Sequence, residues 1–232
     1  MNELLWLGLL LINFSCVLLF YKIFGKTGLY IWIAISTIIC NIQVLETVKL
    51  FGLVATLGNI LYGTTFLATD ILSENYGKKE ARKGVLVGLL TIIITTFIMN
   101  LSLQFIPHSS DFAHDSLTTI FGIMPRIALA SLVAYIISQY HDTWAYDFWK
   151  KKTGKIYVAN NFSTMISQLI DSVIFSVIAF YGLFSLDIFM QILLTTYLFK
   201  WLVAVSDTPF VYLSKKIKNS AIIKNLCEEE IS

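Results

Sequence analysis

The chain has 232 residues, of which 56% are hydrophobic and only 14% charged, with a net charge of +2 and a mean hydropathy of +0.73. Soluble domains carry about a quarter charged residues, so a water-soluble globule is excluded, and the charges gather between long apolar runs as they do in integral membrane proteins. Strand-like alternation is missing, which argues against an outer-membrane barrel.

Crossing about 30 Å of hydrocarbon takes roughly 20 apolar residues, and seven runs qualify: residues 4–24, 29–45, 50–72, 85–105, 120–140, 162–182 and 188–213. The expectation is an all-α integral membrane protein, a helical bundle of about seven (six to seven) transmembrane helices. A single domain over residues 1–218 would be followed by a short cytoplasmic tail at 219–232. The first run has no basic region before it and no small-residue cleavage site near Phe24, so it reads as a retained helix. The second is short and contains Asn41 and Gln43. The third carries Asn59 and Asp70, then gives way to Ser73-Glu74-Asn75-Tyr76-Gly77-Lys78-Lys79-Glu80-Ala81-Arg82-Lys83. Ionisable groups at membrane depth mark functional sites by default, and Glu74 lies one turn beyond Asp70.

The fifth run places Arg126 just after Pro125; snorkelling to the outer surface and a role in a site are both open readings. Tyr140, Trp144, Tyr146, Phe148 and Trp149 follow it as an interfacial aromatic belt. In the sixth run, Asn161, Thr164, Gln168 and Asp171 recur at helical spacing, which predicts a polar stripe with a carboxylate near the midplane. The seventh holds Lys200 near its middle and Asp207 one heptad on, and is long enough to tilt or to break at Pro209. Lys200 reads equally as counter-ion to Asp171 or as a substrate contact.

Basic residues follow the first, third, fifth and seventh runs (Lys22 and Lys26; Lys78, Lys79, Arg82 and Lys83; Lys150 to Lys152 and Lys155; Lys215, Lys216, Lys218 and Lys224), whereas the opposite loops hold only Lys49. By the positive-inside rule the N-terminus is outside and the C-terminus cytoplasmic, in the inner cell membrane. Cys16, Cys40 and Cys227 have no paired spacing, so neither a disulfide framework nor a metal site is expected. His108, His114 and His141 read as loop residues, and no span contains a histidine or a Ser–His pair, so no catalytic residue and no enzyme activity is expected. No phosphate-cradling loop or dinucleotide fingerprint appears, and no cofactor, metal or nucleic-acid partner is implied.

Phe66-Leu67-Ala68-Thr69-Asp70-Ile71-Leu72-Ser73-Glu74-Asn75-Tyr76-Gly77-Lys78-Lys79-Glu80-Ala81-Arg82-Lys83 resembles the signature of the queuosine precursor transporter family. Three later blocks resemble the same family in the same order: Arg126-Ile127-Ala128-Leu129-Ala130-Ser131 with Ala134-Tyr135, then Ser167-Gln168-Leu169-Ile170-Asp171-Ser172 through Phe180, and Tyr197-Leu198-Phe199-Lys200. The resemblance implies uptake of a 7-deazapurine such as preQ0, preQ1 or queuine, feeding the tRNA modification queuosine. On that reading a carboxylate accepts the base's adjacent N–H donors, and Gln168, Asn161 or Lys200 donates to its carbonyl. Phe175, Tyr62 or Tyr197 stacks on the ring, and Asp70 receives any cationic arm. The expected substrate-binding set is therefore Asp171, Gln168, Asn161, Lys200, Asp70, Arg126 and Phe175, with Glu74 and Gly77 as gate or hinge. Access would alternate around a cavity between the third, fifth, sixth and seventh spans. The alternative is a substrate-capturing membrane subunit that docks on an ATPase module of a multi-component importer. Beyond the substrate and the lipid bilayer, the expected partners are a second copy of the chain, approached through Gly84 and Gly88, or that ATPase.

Overall fold

A computed structural model describes residues 1–154 and 156–218; side chains of residues 139, 142, 143, 146, 147, 150, 156–161, 164 and 204 lie outside the described set. The expected tail at 219–232 and the side chains of Asn161 and Thr164 therefore fall outside it. The elements run α1 (Asn2–Gln43), β1 (Thr47–Leu50), β2 (Leu53–Thr56), α2 (Asn59–Tyr76), α3 (Lys78–Ser102), α4 (His114–Gly122), α5 (Met124–Thr153), α6 (Ile156–Phe180) and α7 (Leu186–Lys218). The protein is a helical membrane protein, with long apolar helices in α1, α3, α4–α5 and α7. Large apolar side chains along α3, among them Leu86, Leu90, Ile94, Phe97 and Leu101, face outward as lipid-facing residues do.

α1 joins the first two expected spans. Its helix breaks at Gly25 (φ 57°, ψ −139°), a conformation that favours glycine. A Cβ on Gly28 would run into the Phe20 carbonyl, so glycines let the two limbs fold back on each other.

The third expected span is corrected. Residues 47–56 form an antiparallel hairpin, pairing Leu50 with Leu53 and Thr47 with Thr56, and only then does the 18-residue α2 begin. Phe51 (φ 50°) and Gly52 (φ 84°) make the two-residue turn, both in the positive-φ region that such hairpins need. Pairing the backbone within the hairpin satisfies the polar groups that a non-helical segment would otherwise expose beside a membrane bundle. Val54 N–H donates to Gln191 Oε1 (2.9 Å) and Thr195 Oγ1 to the Val54 carbonyl (3.1 Å), so the hairpin is stitched to the start of α7.

Other boundaries shift for local reasons. The fifth expected span divides at Ile123 into α4 and α5, with Pro125 in the first turn of α5, where its missing N–H has no partner to lose. α7 runs through Pro209 without breaking. Gly84 and Gly88 serve contacts inside the chain: a Cβ at Gly84 would meet Ile33 and Leu72 at 2.9 Å, and one at Gly88 would meet Ile33 and Thr37 at 3.4 Å. The main core joins α1 (Phe14, Leu29, Ile33), α2 (Ile60, Leu67, Ile71) and α7 (Phe199, Val203). A second core joins α5, α6 and the start of α7 through Ile127, Ala130, Ala179, Phe180, Phe189 and Ile192.

The two ends of the bundle differ in charge. At one end Glu80 accepts from Tyr30 Oη (2.7 Å) and Lys83 (2.7 Å), with Lys26 at 3.7 Å. Close by, Asn75 Nδ2 donates to Tyr21 Oη (3.1 Å) and Ser214 Oγ (3.2 Å), and Lys218 donates to the Asn75 carbonyl. At the other end Asn2 donates to the Lys49 carbonyl (3.1 Å), and Phe51 N–H to Glu3 Oε1 (3.1 Å).

Candidate functional site

Between the two cores lies a cavity whose walls come from five helices: Cys40, Asn41 and Val44 at the end of α1, Gly58, Asn59 and Tyr62 at the start of α2, Ser131 and Ala134 of α5, Asp171 and Phe175 of α6, and Thr196 and Lys200 of α7. About 50 Å³ is open to the centre of a water-sized sphere, room for a few waters. The hairpin explains why α1 and α2 meet here. By occupying residues 47–56 it delays the start of α2 until the chain has re-entered the bundle, so α2 opens against the end of α1. Gly58 makes the junction possible, since a Cβ there would lie 2.6 Å from the Cys40 carbonyl and 3.2 Å from Val44 Cβ.

Lys200 and Asp171 form an ion pair across the cavity, each side chain about nine-tenths buried. Ser138 Oγ donates to the other carboxylate oxygen at 3.4 Å, and the Lys200 ammonium stands 5.1 Å from the centroid of the Tyr62 ring. A buried ion pair is held when each charge has a partner, and removing one partner strands the other. Asn41 Nδ2 donates to the Thr37 carbonyl (2.7 Å) and Asn59 Nδ2 to the Thr56 carbonyl (3.0 Å), which orients both amides and, among the described residues, leaves their oxygens uncommitted. The Thr196 hydroxyl is buried and without a hydrogen-bond partner among the described residues. The cavity therefore offers a carboxylate–ammonium pair, two amide oxygens, hydroxyls that both donate and accept, and the faces of Tyr62 and Phe175.

Of the expected site residues, Asp171, Lys200 and Phe175 line this cavity. Gln168 stands off the wall, and its carbonyl accepts from Ser172 Oγ (2.8 Å). Asp70 is exposed on α2, eight residues beyond Tyr62 and so about 12 Å along the helix; Asp207 of α7 is 9% exposed, seven residues beyond Lys200. Arg126 is also outside the cavity. Its Nε donates to the Ile178 carbonyl (2.5 Å) and its Nη2 to the Tyr181 carbonyl (2.6 Å), capping the carbonyl end of α6 with positive charge. Glu74 pairs with Lys215 at 3.0 Å with both groups half exposed. Gly77 (φ 90°, ψ 165°) joins α2 to α3 in a region essentially reserved for glycine.

The sequence reading missed Asn41, Asn59, Ser131, Ser138 and Thr196 as a group. It also placed His141 in a loop and found no Ser–His pair, whereas His141 lies on α5 with its Nδ1 2.9 Å from Ser167 Oγ of α6. The α6 face buried against α5 carries Ser163, Ser167 and Asp171 at four-residue spacing. His108 bonds Ser110 (2.8 Å). In the same loop the N–H groups of His114 (2.8 Å) and Ala113 (2.7 Å) donate to Asp111, holding its carboxyl below the ordinary range and capping α4. Among the described residues no three His, Cys, Asp or Glu side chains are grouped as metal ligands.

The family described as "Putative vitamin uptake transporter" matches residues 56–214. A Bacillus subtilis protein named "Probable queuosine precursor transporter" is 45% identical over 219 residues, covering 93% of this chain and 96% of that one. A Haemophilus influenzae protein of the same name is 29% identical, covering 67% and 66% of the two chains. The "Queuosine precursor transporter" of Escherichia coli is 24% identical, covering 79% and 86%. No solved structure matches the chain. The family match begins at Thr56, so α1, which supplies Cys40, Asn41 and Val44 to the cavity, precedes it.

Proposed function

Because the chain belongs to the queuosine precursor transporter family, we propose that it imports a queuosine precursor, a 7-deazapurine base, across the inner cell membrane and holds it in the Asp171–Lys200 cavity. The observation that carries this reading is an ion pair joining two helices within an apolar bundle, over an aromatic ring and beside uncommitted amide oxygens. Ionisable groups at that depth belong to substrate pathways, and ligand sites are mostly apolar with a few convergent polar groups. Helix ends meeting beside the site, here those of α1 and α2, are also how secondary transporters present backbone dipoles to a substrate.

Seven crossings are proposed, two of them in α1 about Gly25, with the N-terminus outside and the lysine-rich end cytoplasmic. The clustering of Lys26, Lys83, Lys215 and Lys218 at one end supports that orientation. Gly77 and the Glu74–Lys215 pair lie at the cytoplasmic joint, where a hinge or gate would act. A cysteine at Ser109 should react with an impermeant maleimide from outside and one at Lys216 only after lysis; the reverse pattern rejects the orientation. For transport, a host lacking queuosine synthesis and its own importer is given preQ0, preQ1 or queuine singly, and tRNA queuosine is measured. Rescue by at least one is expected; rescue by none, with the protein in the membrane, refutes the reading.

A further inference from the structure

The His141–Ser167 pair is not on the cavity wall, yet it continues a row of polar groups that begins there. Ser138 Oγ lies 3.4 Å from Asp171 Oδ1, and one turn on, His141 Nδ1 lies 2.9 Å from Ser167 Oγ. Both contacts bridge α5 and α6. Ser138 and His141 are three residues apart on one helix and Ser167 and Asp171 four apart on the other, so the bridges occupy successive turns, about 5–6 Å from each other. One bridging water spans such a gap. Ser163, 1% exposed, extends the α6 side by a further turn, and from Asp171 to Ser163 the row runs about 12 Å along the helix. α6 begins at the end of the bundle where α7 finishes, so the row leads from the cavity toward the lysine-rich end. There His141 is partly exposed, and the exposed Trp144 ring stands 5.9 Å from it. Facing His141 are Ser167 of α6 and Trp144 of its own helix, and the next charged group along that interface among the described residues is Asp171; α3 and α4 pack against α5 near its start. The side chain of Asp142 lies outside the described set. Hydroxyls and amides suffice to join helices in a membrane, whereas chains of acids and histidines in carriers are proton relays.

We propose that this row is a proton path and that the protein moves one proton inward with each molecule of substrate. The inference rests on the transporter reading above and adds a second transported species to it. A proton entering the cavity from outside is taken by the Asp171 carboxylate, which gives up its bond to the Lys200 ammonium. The ammonium keeps the Tyr62 ring face at 5.1 Å and is free to donate to an acceptor on the substrate. The neutral acid then passes its proton through the Ser138 and Ser167 hydroxyls, each taking one proton and giving one up, to the His141 ring. The ring accepts at one nitrogen and releases a proton from the other to the cytoplasmic face. Asp171 is a carboxylate again and recovers Lys200. One proton has left the outer side and one has arrived inside, and no residue of the row has changed charge over the cycle. Because the same ion pair opens for both, proton and substrate favour each other's binding.

The test uses the full chain in proteoliposomes with a pH dye in the lumen and the membrane potential clamped to zero by potassium and valinomycin. The substrate is the radiolabelled base that passes the rescue assay above. At one proton per substrate, an outside pH one unit below the inside should drive about tenfold accumulation, and substrate added without a preset gradient should acidify the lumen. Exchange of labelled for unlabelled base, which needs no net proton movement, is measured alongside. His141→Gln leaves an amide that can bond Ser167 but does not take up a proton, and Ser167→Ala cuts the same bond from the other side. Each variant should exchange within about threefold of the unsubstituted protein and accumulate less than about twofold. Exchange without accumulation by the unsubstituted protein overturns the inference and leaves the transporter reading standing. Accumulation kept by either variant removes the row from the path and overturns the inference likewise. So does loss of exchange together with accumulation in both variants, or failure of both to reach the membrane, since either marks a structural clasp. Rescue by no base, or neither exchange nor accumulation by the unsubstituted protein, refutes the transporter reading itself, and the inference with it.

Discussion

A double-mutant cycle on Lys200 and Asp171 tests whether the ion pair holds the two halves of the bundle together. Among the described residues, Lys200→Met leaves the Asp171 carboxylate with the long 3.4 Å bond from Ser138; Asp171→Asn leaves the Lys200 ammonium with the Tyr62 ring face at 5.1 Å. Breaking one side of a buried pair costs about 3–5 kcal/mol, the range expected for Lys200→Met. The Tyr62 face returns about 1–2 kcal/mol to a desolvated ammonium, so Asp171→Asn should be milder by about that amount. Replacing both charges together removes both stranded groups, and such double changes are often close to neutral, so the double variant should lie within about 1 kcal/mol of the unsubstituted protein. The coupling energy should therefore reach at least about 2 kcal/mol, well beyond the additivity error of independent sites. The assay is reversible unfolding of purified protein in mixed micelles, followed by circular dichroism at fixed detergent composition. Additive single-variant losses, or a Lys200→Met loss smaller than that of Asp171→Asn, would refute the arrangement described.

Three further outcomes follow from particular contacts. Gly63→Ala should destabilise by about 1–3 kcal/mol, because the new Cβ would overlap Val203 Cγ1 where α2 meets α7, and Val203→Ala should return much of the loss. Arg126→Gln should lose about 2–3 kcal/mol as its charged bonds to the Ile178 and Tyr181 carbonyls go; since Arg126 is not on the cavity wall, the apparent KM for uptake should stay within twofold, and a larger rise would return Arg126 to the site. Asp111 has its carboxyl held below the ordinary range, first by the His114 N–H and then by that of Ala113. Its contribution is complete above the unfolded carboxyl's value and is lost as pH falls through the lowered folded one, so exchange of those two amide hydrogens should quicken only on strong acidification; protection unchanged in Asp111→Ala would dismiss the cap.

Asp171 and Lys200 were legible because a charge inside an apolar run stands out against its neighbours, and Phe175 lies one turn beyond Asp171. Asn41, Asn59 and Thr196 were not, since isolated small polar residues are common in spans and only their meeting gives them meaning. That meeting depends on the hairpin, which left almost no trace. Val48-Lys49-Leu50-Phe51-Gly52-Leu53-Val54 reads as apolar helix, and its turn uses Phe51 at positive φ, a residue that does not advertise a turn. Of the α6 stripe, Asp171 lies on the buried face, whereas Gln168 is adjacent to Ser167, about 100° round the helix, and among the described residues the face against α5 carries small serines and not that amide. His141 was assigned to a loop because α5 continues past the apolar run to Thr153, 30 residues in all and about 45 Å long, so polar composition marked the edge of the membrane and not the end of the helix.

If access alternates by one packed body moving against another, the seam must run where strong intra-body fastenings are absent and the cavity is present. α5 and α6 are fastened by the Arg126 bonds, the His141–Ser167 pair and their shared core. α1, α2 and α7 are fastened by Gly63 against Val203, by the Asn75 bonds to Tyr21 and Ser214, and by the main core. The bonds across the seam near the cavity are those made by Asp171, from α6 to Lys200 of α7, with Ser138 of α5 completing its second oxygen. The start of α7 belongs to the second core through Phe189 and Ile192, whereas Phe199 and Val203 belong to the main one, so α7 itself spans the seam with Lys200 just past the changeover. A substrate that competes for the hydrogen-bonding groups around Asp171 therefore acts on a charged fastening between the bodies. Binding and opening draw on the same contact, and a ligand shifts a conformational equilibrium only through such differential interaction.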